Sequence, residues 1–266
     1  MSGADAPRNA PAAFADPWVE LRRHTPARIA LGRAGSALPT QALLEFGLAH
    51  ARARDAVHAA LDVDALRVQL RAAGHAALQV RSAAPDRATY LMRPDLGRKL
   101  DAASAQALDA AGTRADIVVA IEDGLSAPAV QKHAAPLLAA LQACHAARWE
   151  SAQTVIATQG RVALGDEIGG RLGAKLVVVM IGERPGLSSP DSLGLYLTYA
   201  PRIGRSDAER NCISNVRPEG LPYAAAARRL DWLCSAALTR GLTGIGLKDE
   251  SGSGLGDVSL PIHELP

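Results

Sequence analysis

The sequence predicts an α/β protein with a Rossmann-like, largely parallel sheet that carries helices on both faces and follows an N-terminal helical region. Three observations carry that expectation. From Asp116 on, the apolar, β-branched runs DIVVAI, TVIAT and KLVVVMI alternate with stretches of helical spacing, the texture of strands covered on both faces. Upstream, QALLEFGLAHARARDAVHAALD and VDALRVQLRAA repeat apolar residues at helical intervals. Finally, 48% of the residues are apolar but only 3% aromatic, so the core must be built from Ala, Leu, Val and Ile.

Taken in order, Met1 to about Pro17 is rich in Ala and Pro and reads as a flexible arm. Val19 to Ala34 is a short helix or an irregular segment carrying Arg22, Arg23, Arg28 and Arg33. A helix follows Pro39-Thr40, a shorter one spans Val63 to Ala73, and ALQVRS is a candidate strand. Pro94-Asp95 opens a helix through RKLDAASAQALDAAG, stopped at Gly112. DIVVAI is then a buried parallel strand, and EDGLSAPAV turns tightly into a helix that ends near Arg148. TVIAT, KLVVVMI and LGLYLTYA are the second, third and fourth strands of this part, with GDEIGGRLGA a short helix between the first two of them. PYAAAARRLDWLCSAALTRG is a helix closed by Gly241, and TGIGL is the last strand. The Gly/Ser-rich tail after Lys248 reads as mobile. The expected domains are an arm at 1–17, a helical region at 18–112, a Rossmann-like domain at 113–248 and a tail at 249–266.

Composition excludes several function classes. Few aromatics leave no platforms for base stacking, and a net charge of +2 with interspersed signs leaves no phosphate-backbone footprint, so no nucleic-acid partner is expected. The N-terminus has no secretory pattern and no apolar run is long enough to cross a bilayer, which points away from a membrane and to the cytoplasm. Cys144, Cys212 and Cys234 are far apart and odd in number, giving neither a zinc spacing nor a disulfide framework. The histidines form no metal pattern; His50 and His58 share one helix and read as surface residues.

Open parallel sheets bind ligands beyond the carboxyl ends of their strands. Three segments fall there: EDGLSA, QGRVALGDE and GERPGLSSP. Each alone could merely turn the chain or cap a helix; their shared edge is more informative. No dinucleotide fingerprint, phosphate-binding loop or nucleophile elbow is present, and no catalytic set converges, so no catalytic residue or metal ligand is assigned. In AERNCISNVRPEG, Cys212 reads either as a small buried residue or as a compact, polarizable contact for a planar ligand edged by polar groups.

The segments TPARIALGRAGSALPTQALLEFGLAHARARDAV, YLMRPDLGRKL, IEDGLSA, GRVALGDEIGGRLGAKLVVVMIGERPGLSSPDSLGLYLTYAPR and NCISNVRPEG resemble the small (light) subunit of ethanolamine ammonia-lyases. The likeness runs from about Asp16 to Lys248, and GAK, an apolar run, GERPGL and then CISN in that order are not generic Rossmann features. The resemblance implies an adenosylcobalamin enzyme that converts ethanolamine to acetaldehyde and ammonia by a radical route. It implies a large, barrel-type catalytic partner that binds the ethanolamine, while the small subunit closes over the cobalamin from the other side. The family's cobalamin contacts fall on Val162 of GRV, Glu183 of GERPGL and Cys212 of CISN. A corrin edged with amides wants neutral packing on its face and acceptors at its rim; Val162 and Cys212 offer the first and Glu183 the second. The chain lacks D-x-H-x-x-G, in keeping with a base-on cofactor that needs no cobalt ligand from the protein. Some relatives enter a bacterial microcompartment by a longer amphipathic N-terminal helix, from which the short, Pro-broken arm here departs. Two other readings stand beside this one: a stand-alone Rossmann-like enzyme acting on a nucleotide, and a purely structural partner subunit.

Overall fold

Six strands form one mixed sheet in the order β1-β3-β2-β4-β5-β6. The computed structural model describes residues 16–112 and 114–252; the expected arm, up to residue 15, and the expected tail, beyond 252, lie outside the described residues. The elements in chain order are α1 (Thr40–His58), α2 (Val63–Ala72), β1 (Ala77–Arg81), α3 (Arg87–Met92), α4 (Ala102–Ala111), β2 (Ile117–Glu122) and α5 (Ala127–Cys144). There follow α6 (Ala146–Glu150), β3 (Gln153–Thr158), α7 (Leu164–Arg171), β4 (Leu176–Gly182), β5 (Leu193–Tyr199), β6 (Asn211–Val216) and α8 (Tyr223–Arg240).

The parallel part comprises β1, β3, β2 and β4. Every residue of β2 and of β4 is buried, which is why both read as unbroken apolar runs. Their side chains alternate between two cores. Ile117, Val119, Ile121, Val178 and Met180 face a core built with α2, α5, α6 and α8, where Trp149 and Leu230 are buried. Val118, Ala120, Val177 and Val179 face a second core with α4 and α7, through Leu108, Leu164 and Ile168. Helices therefore cover both faces, as expected.

Two expectations are corrected and one is refined. The sheet is mostly parallel, as expected, but mixed: LGLYLTYA is a strand, with β5 antiparallel to β4 and β6 antiparallel to β5. The β4–β5 connection, residues 183–192, holds no crossover helix, and a parallel return needs one. The helix expected from Pro94 begins later: Leu96–Arg98 is a single 3-10 turn, and α4 starts where Asp101 accepts the Ser104 N–H at 2.7 Å. The Gly97 carbonyl is taken by the Arg161 N–H at 2.9 Å, so it serves a neighbouring loop rather than a helix. TGIGL is not a strand; Gly244–Gly246 is a 3-10 turn, with Gly244 at φ +79° and its N–H bonded to Asn211 Oδ1 at 2.9 Å. The stops at Gly112 and Gly241 stand, both in the left-handed conformation.

The chain divides into two compact units, Met1–Asp55 with Gly186–Pro190 and Ala56–Pro185 with Asp191–Pro266. The sheet belongs to the second. In the first, a 3-10 helix at Pro17–Arg23 is capped by Asp16, and the segment after it is irregular up to α1. None of the first unit's described residues is fully buried, and α1 exposes Leu43, Leu44, Phe46 and Leu48. His50 and His58 are exposed on α1.

Candidate functional site

A cleft of 740 Å³ opens at the carboxyl ends of β2, β3 and β4, the edge anticipated from the sequence. Its lining includes Gly124 after β2, Arg161 and Val162 after β3, Glu183 and Arg184 after β4, and Tyr196 from β5. All three of the loop segments singled out in the sequence contribute.

The cleft's back wall is made of close backbone contacts. Gly124 has φ +56°, and a Cβ on it would lie 2.3 Å from the Gly182 carbonyl oxygen. A Cβ on Gly182 would lie 2.1 Å from the Ser126 carbonyl. With no side chains between them, the β2 loop and the end of β4 join directly, and the Leu125 N–H donates to Gly182 O at 2.9 Å. Ser126 then caps α5 by accepting the Ala129 N–H at 3.3 Å.

Behind this wall sit buried acids. Glu122 is fully buried, and neither carboxylate oxygen has a hydrogen-bond partner among the described residues. Burial, and then the nearby Asp123 and Asp166, push its pKa well above the ordinary carboxylate value and favour the neutral acid. Gly160 packs on it, with its virtual Cβ 2.6 Å from Glu122 Oε2. Asp123 is also raised by burial, against the pull of backbone N–H groups and of Arg87. Its Oδ1 accepts the Gly160 N–H at 3.0 Å, and Arg87 lies 3.6 Å from its Oδ2. Asp166, in the first turn of α7, pairs with Arg210 at 2.6 Å, and both side chains are almost fully buried. Burial raises Asp166 and works against the Arg210 cation; the bonds to Asp166 and Asp207 outweigh it for Arg210.

The β3 loop is held from below by Tyr90. Its hydroxyl donates to Gly160 O at 3.0 Å, and the guanidinium groups of Arg87 and Arg161 lie over its ring at 4.7 and 4.6 Å. Burial pushes the Tyr90 phenol up, out of reach of ordinary pH.

The structure brings two of the three sequence-derived contacts together. Val162, half-buried just ahead of α7, and Glu183, half-buried just past β4, line the same cleft. Glu183 Oε2 accepts the Asn215 N–H of β6 at 3.1 Å, a bond no sequence pattern announced. Cys212 is not part of the lining. It is exposed on β6, its register partner is Tyr196, and its Sγ lies 3.3 Å from Ser214 Oγ. It stands beside the wall rather than in it. The sequence assigns no cofactor contact to the arginines of the cleft, although Arg98, Arg161, Arg184 and Arg210 lie inside the quoted segments. Nothing in the local pattern told a surface arginine from one turned into a cleft. Among the described residues no nucleophile–base pair faces this space; its side chains can hold and orient a ligand, which is a binding chemistry.

The model of the ethanolamine ammonia-lyase light chain family matches residues 15–248. A curated relative from Ralstonia nicotianae, named ethanolamine ammonia-lyase small subunit, is 59% identical over 239 residues, 88% of each chain. The relative of that name from Pseudomonas syringae pv. tomato is 57% identical over 245 residues, 90% of this chain and 85% of its own. A third, from Azotobacter vinelandii, is 57% identical over 242 residues, 89% of each.

Proposed function

The chain belongs to the ethanolamine ammonia-lyase light chain family, and on that premise we propose that it is the small subunit of an adenosylcobalamin-dependent enzyme that converts ethanolamine to acetaldehyde and ammonia. A large catalytic subunit binds the ethanolamine, and this chain covers one side of the cofactor. The observation that carries the reading is the common cleft of Val162 and Glu183 at the carboxyl edge of the sheet.

The residues present fit the group. A corrinoid offers an apolar ring face, a rim of amides and a phosphodiester tail. Val162, Ile181 and Tyr196 give the cleft apolar surface, Glu183 Oε1 is an acceptor, and arginines supply donors for an anion. Adenosylcobalamin supplies the radical chemistry when bound. This chain's part is to pack on the ring, accept from its amides at Glu183, and exclude water on that side. Cys212, beside Tyr196, extends the packing surface along β6. An open cleft of 740 Å³ covers only part of so large a cofactor, which supports a second protein on the other side.

The exposed Leu43, Leu44, Phe46 and Leu48 of α1 support a partner as well, since so many large apolar side chains on one helix are costly to leave in water. We assign the Rossmann-like, cofactor-binding domain to residues 113–248, with Tyr90 and Arg98 joining its cleft from the region 18–112. Among the described residues no helix is long and apolar enough to cross a membrane; we place the assembled enzyme in the cytoplasm, with a bacterial microcompartment as the alternative.

The test is reconstitution. Ethanolamine turnover with added adenosylcobalamin is expected only when this chain and the large subunit are mixed. Turnover by this chain alone, or a large subunit equally active without it, overturns the reading.

A further inference from the structure

The charges around the cleft do not balance. Five arginines line it, Arg98, Arg161, Arg184, Arg205 and Arg210, against two acids, Glu183 and Asp207. Arg205 pairs with Glu209, and Arg210 with Asp166 and Asp207. Glu183 has one oxygen committed to Asn215. Arg98, Arg161 and Arg184 have no carboxylate partner among the described residues.

Arg161 is the most telling of the three. It is half-buried, its guanidinium lies over the Tyr90 ring, its Nε is buried without a hydrogen-bond partner among the described residues, and its Nη2 reaches the Tyr90 carbonyl at 3.2 Å. Desolvating a guanidinium without a counter-ion is unfavourable, so a cation held this way calls for an anion from outside the chain. The backbone points to the same place. Arg161 is followed by Val162 and Ala163, which lead into α7, and their N–H groups have no acceptor among the described residues. Both residues line the cleft. Free N–H groups at a helix start, beside a planar guanidinium, form a donor set of the kind that takes phosphate oxygens.

We propose that Arg98, Arg161 and Arg184, with the N–H groups of Val162 and Ala163, form a phosphate subsite, and that its occupant is the phosphodiester of the cobalamin nucleotide tail. The assignment rests on the preceding reading of the cleft as the corrinoid site. It adds an orientation: the phosphate of the tail lies against the Arg161–Ala163 backbone at the start of α7, while the corrin packs on the Val162 side chain and turns its rim toward Glu183. The same donors would also accept a free phosphate ion, and the test separates the two.

The experiment is a spectroscopic titration of the assembled two-subunit enzyme with cyanocobalamin and with cobinamide, which lacks the nucleotide tail and its phosphate. Arg161→Gln, Arg98→Gln and Arg184→Gln are compared with the parent, and Glu183→Gln serves as the corrin-side control. Each arginine variant is expected to lose about tenfold in cyanocobalamin affinity, a loss that shrinks as salt is raised, and to bind cobinamide like the parent. Glu183→Gln is expected to weaken both ligands. Arg98 and Arg184 are exposed, so their variants decide the matter if Arg161→Gln, which leaves the Tyr90 ring, fails to fold. Unchanged cyanocobalamin affinity in the arginine variants overturns the proposal, as does an equal loss for both corrinoids. Arginine variants that stop inorganic phosphate from binding but leave cyanocobalamin untouched assign the subsite to a free anion, and that also overturns it. If Glu183→Gln alone is silent, the corrin-side reading fails while the phosphate subsite is judged on its own arms.

Discussion

The Glu183 carboxylate accepts the backbone N–H of Asn215 at 3.1 Å, and so the residue just past the fully buried β4 also ties down β6, two strands away in the sheet. Asn215 has φ +59°, an uncommon conformation for a residue with a side chain, and the bond its N–H donates to Glu183 supports it. The acid assigned to the cofactor thus serves the fold as well, through a backbone N–H.

Replacing Glu183 should therefore separate the two roles. Glu183→Ala removes a charge-assisted bond at a half-buried position and is expected to cost about 1–2 kcal/mol of stability besides weakening corrinoid binding. Glu183→Gln keeps an acceptor for Asn215 and should melt close to the parent while still weakening the cofactor. Denaturant melts of the chain and corrinoid titrations of the complex check both halves.

Gly124 and Gly182 tolerate no side chain. In Gly182→Ala the new methyl would lie 2.1 Å from the Ser126 carbonyl, and in Gly124→Ala 2.3 Å from the Gly182 carbonyl at φ +56°. Backbone cannot yield as a flexible side chain does, so each variant is expected to lose about 3 kcal/mol or more, or to be recovered insoluble. Urea melts, or soluble yield where melting fails, check this. Gly112→Ala should cost less: it carries the strain of a left-handed φ of +60°, but among the described residues only the Ala110 carbonyl, at 4.0 Å, approaches its added methyl.

The Asp166–Arg210 pair is expected to show strong coupling. Asp166→Ala leaves the Arg210 cation buried without its closest partner and should cost about 3–5 kcal/mol. The double variant with Arg210→Met removes both charges and should recover part of that loss. A double-mutant cycle measured by chemical denaturation gives the coupling.

Glu122 gives a pH dependence of known sign. Its folded pKa is raised well above the ordinary 4.5, so the folded chain keeps a proton that the unfolded chain releases. This group's contribution to stability is fully present below about pH 4.5 and is lost as pH rises toward the folded value. Glu122→Gln removes that titration. Its melting temperature should fall less than the parent's between pH 5 and pH 8; parallel falls would show that Glu122 does not titrate there.

His133 acts in the opposite direction. Burial, opposed by Asp191, lowers its pKa below 6.5 and keeps the folded imidazole neutral. Its contribution is present above about pH 6.5 and lost as pH falls toward the folded value. His133→Gln should soften the loss of stability on acidification below that point, as followed by melts across the same buffers.

The legible parts of the sequence were those where one physical demand dominates. Burial on both faces made β2 and β4 continuous apolar runs, and left-handed helix ends required Gly112 and Gly241. β6 escaped notice because NCISNV exposes Cys212, Ser214 and Asn215 and buries only Ile213 and Val216. TGIGL resembled a strand, yet a Cβ on Gly244 would lie 2.1 Å from the Ala208 carbonyl, a tertiary contact that local pattern does not encode. The edge that holds the cleft followed from strand–loop alternation. The pairing of Asp166 with Arg210, 44 positions apart, arises only once the chain has folded back through β5 to the start of β6.

The most direct test of the central claim fills the cleft from this chain's side. Val162→Trp places a large ring where the corrin is assigned, at a half-buried position outside both cores' fully buried sets. The two-subunit complex carrying it should keep its size in solution and lose about a hundredfold in affinity for cyanocobalamin. A complex that assembles and binds the corrinoid as tightly as the parent would contradict the account.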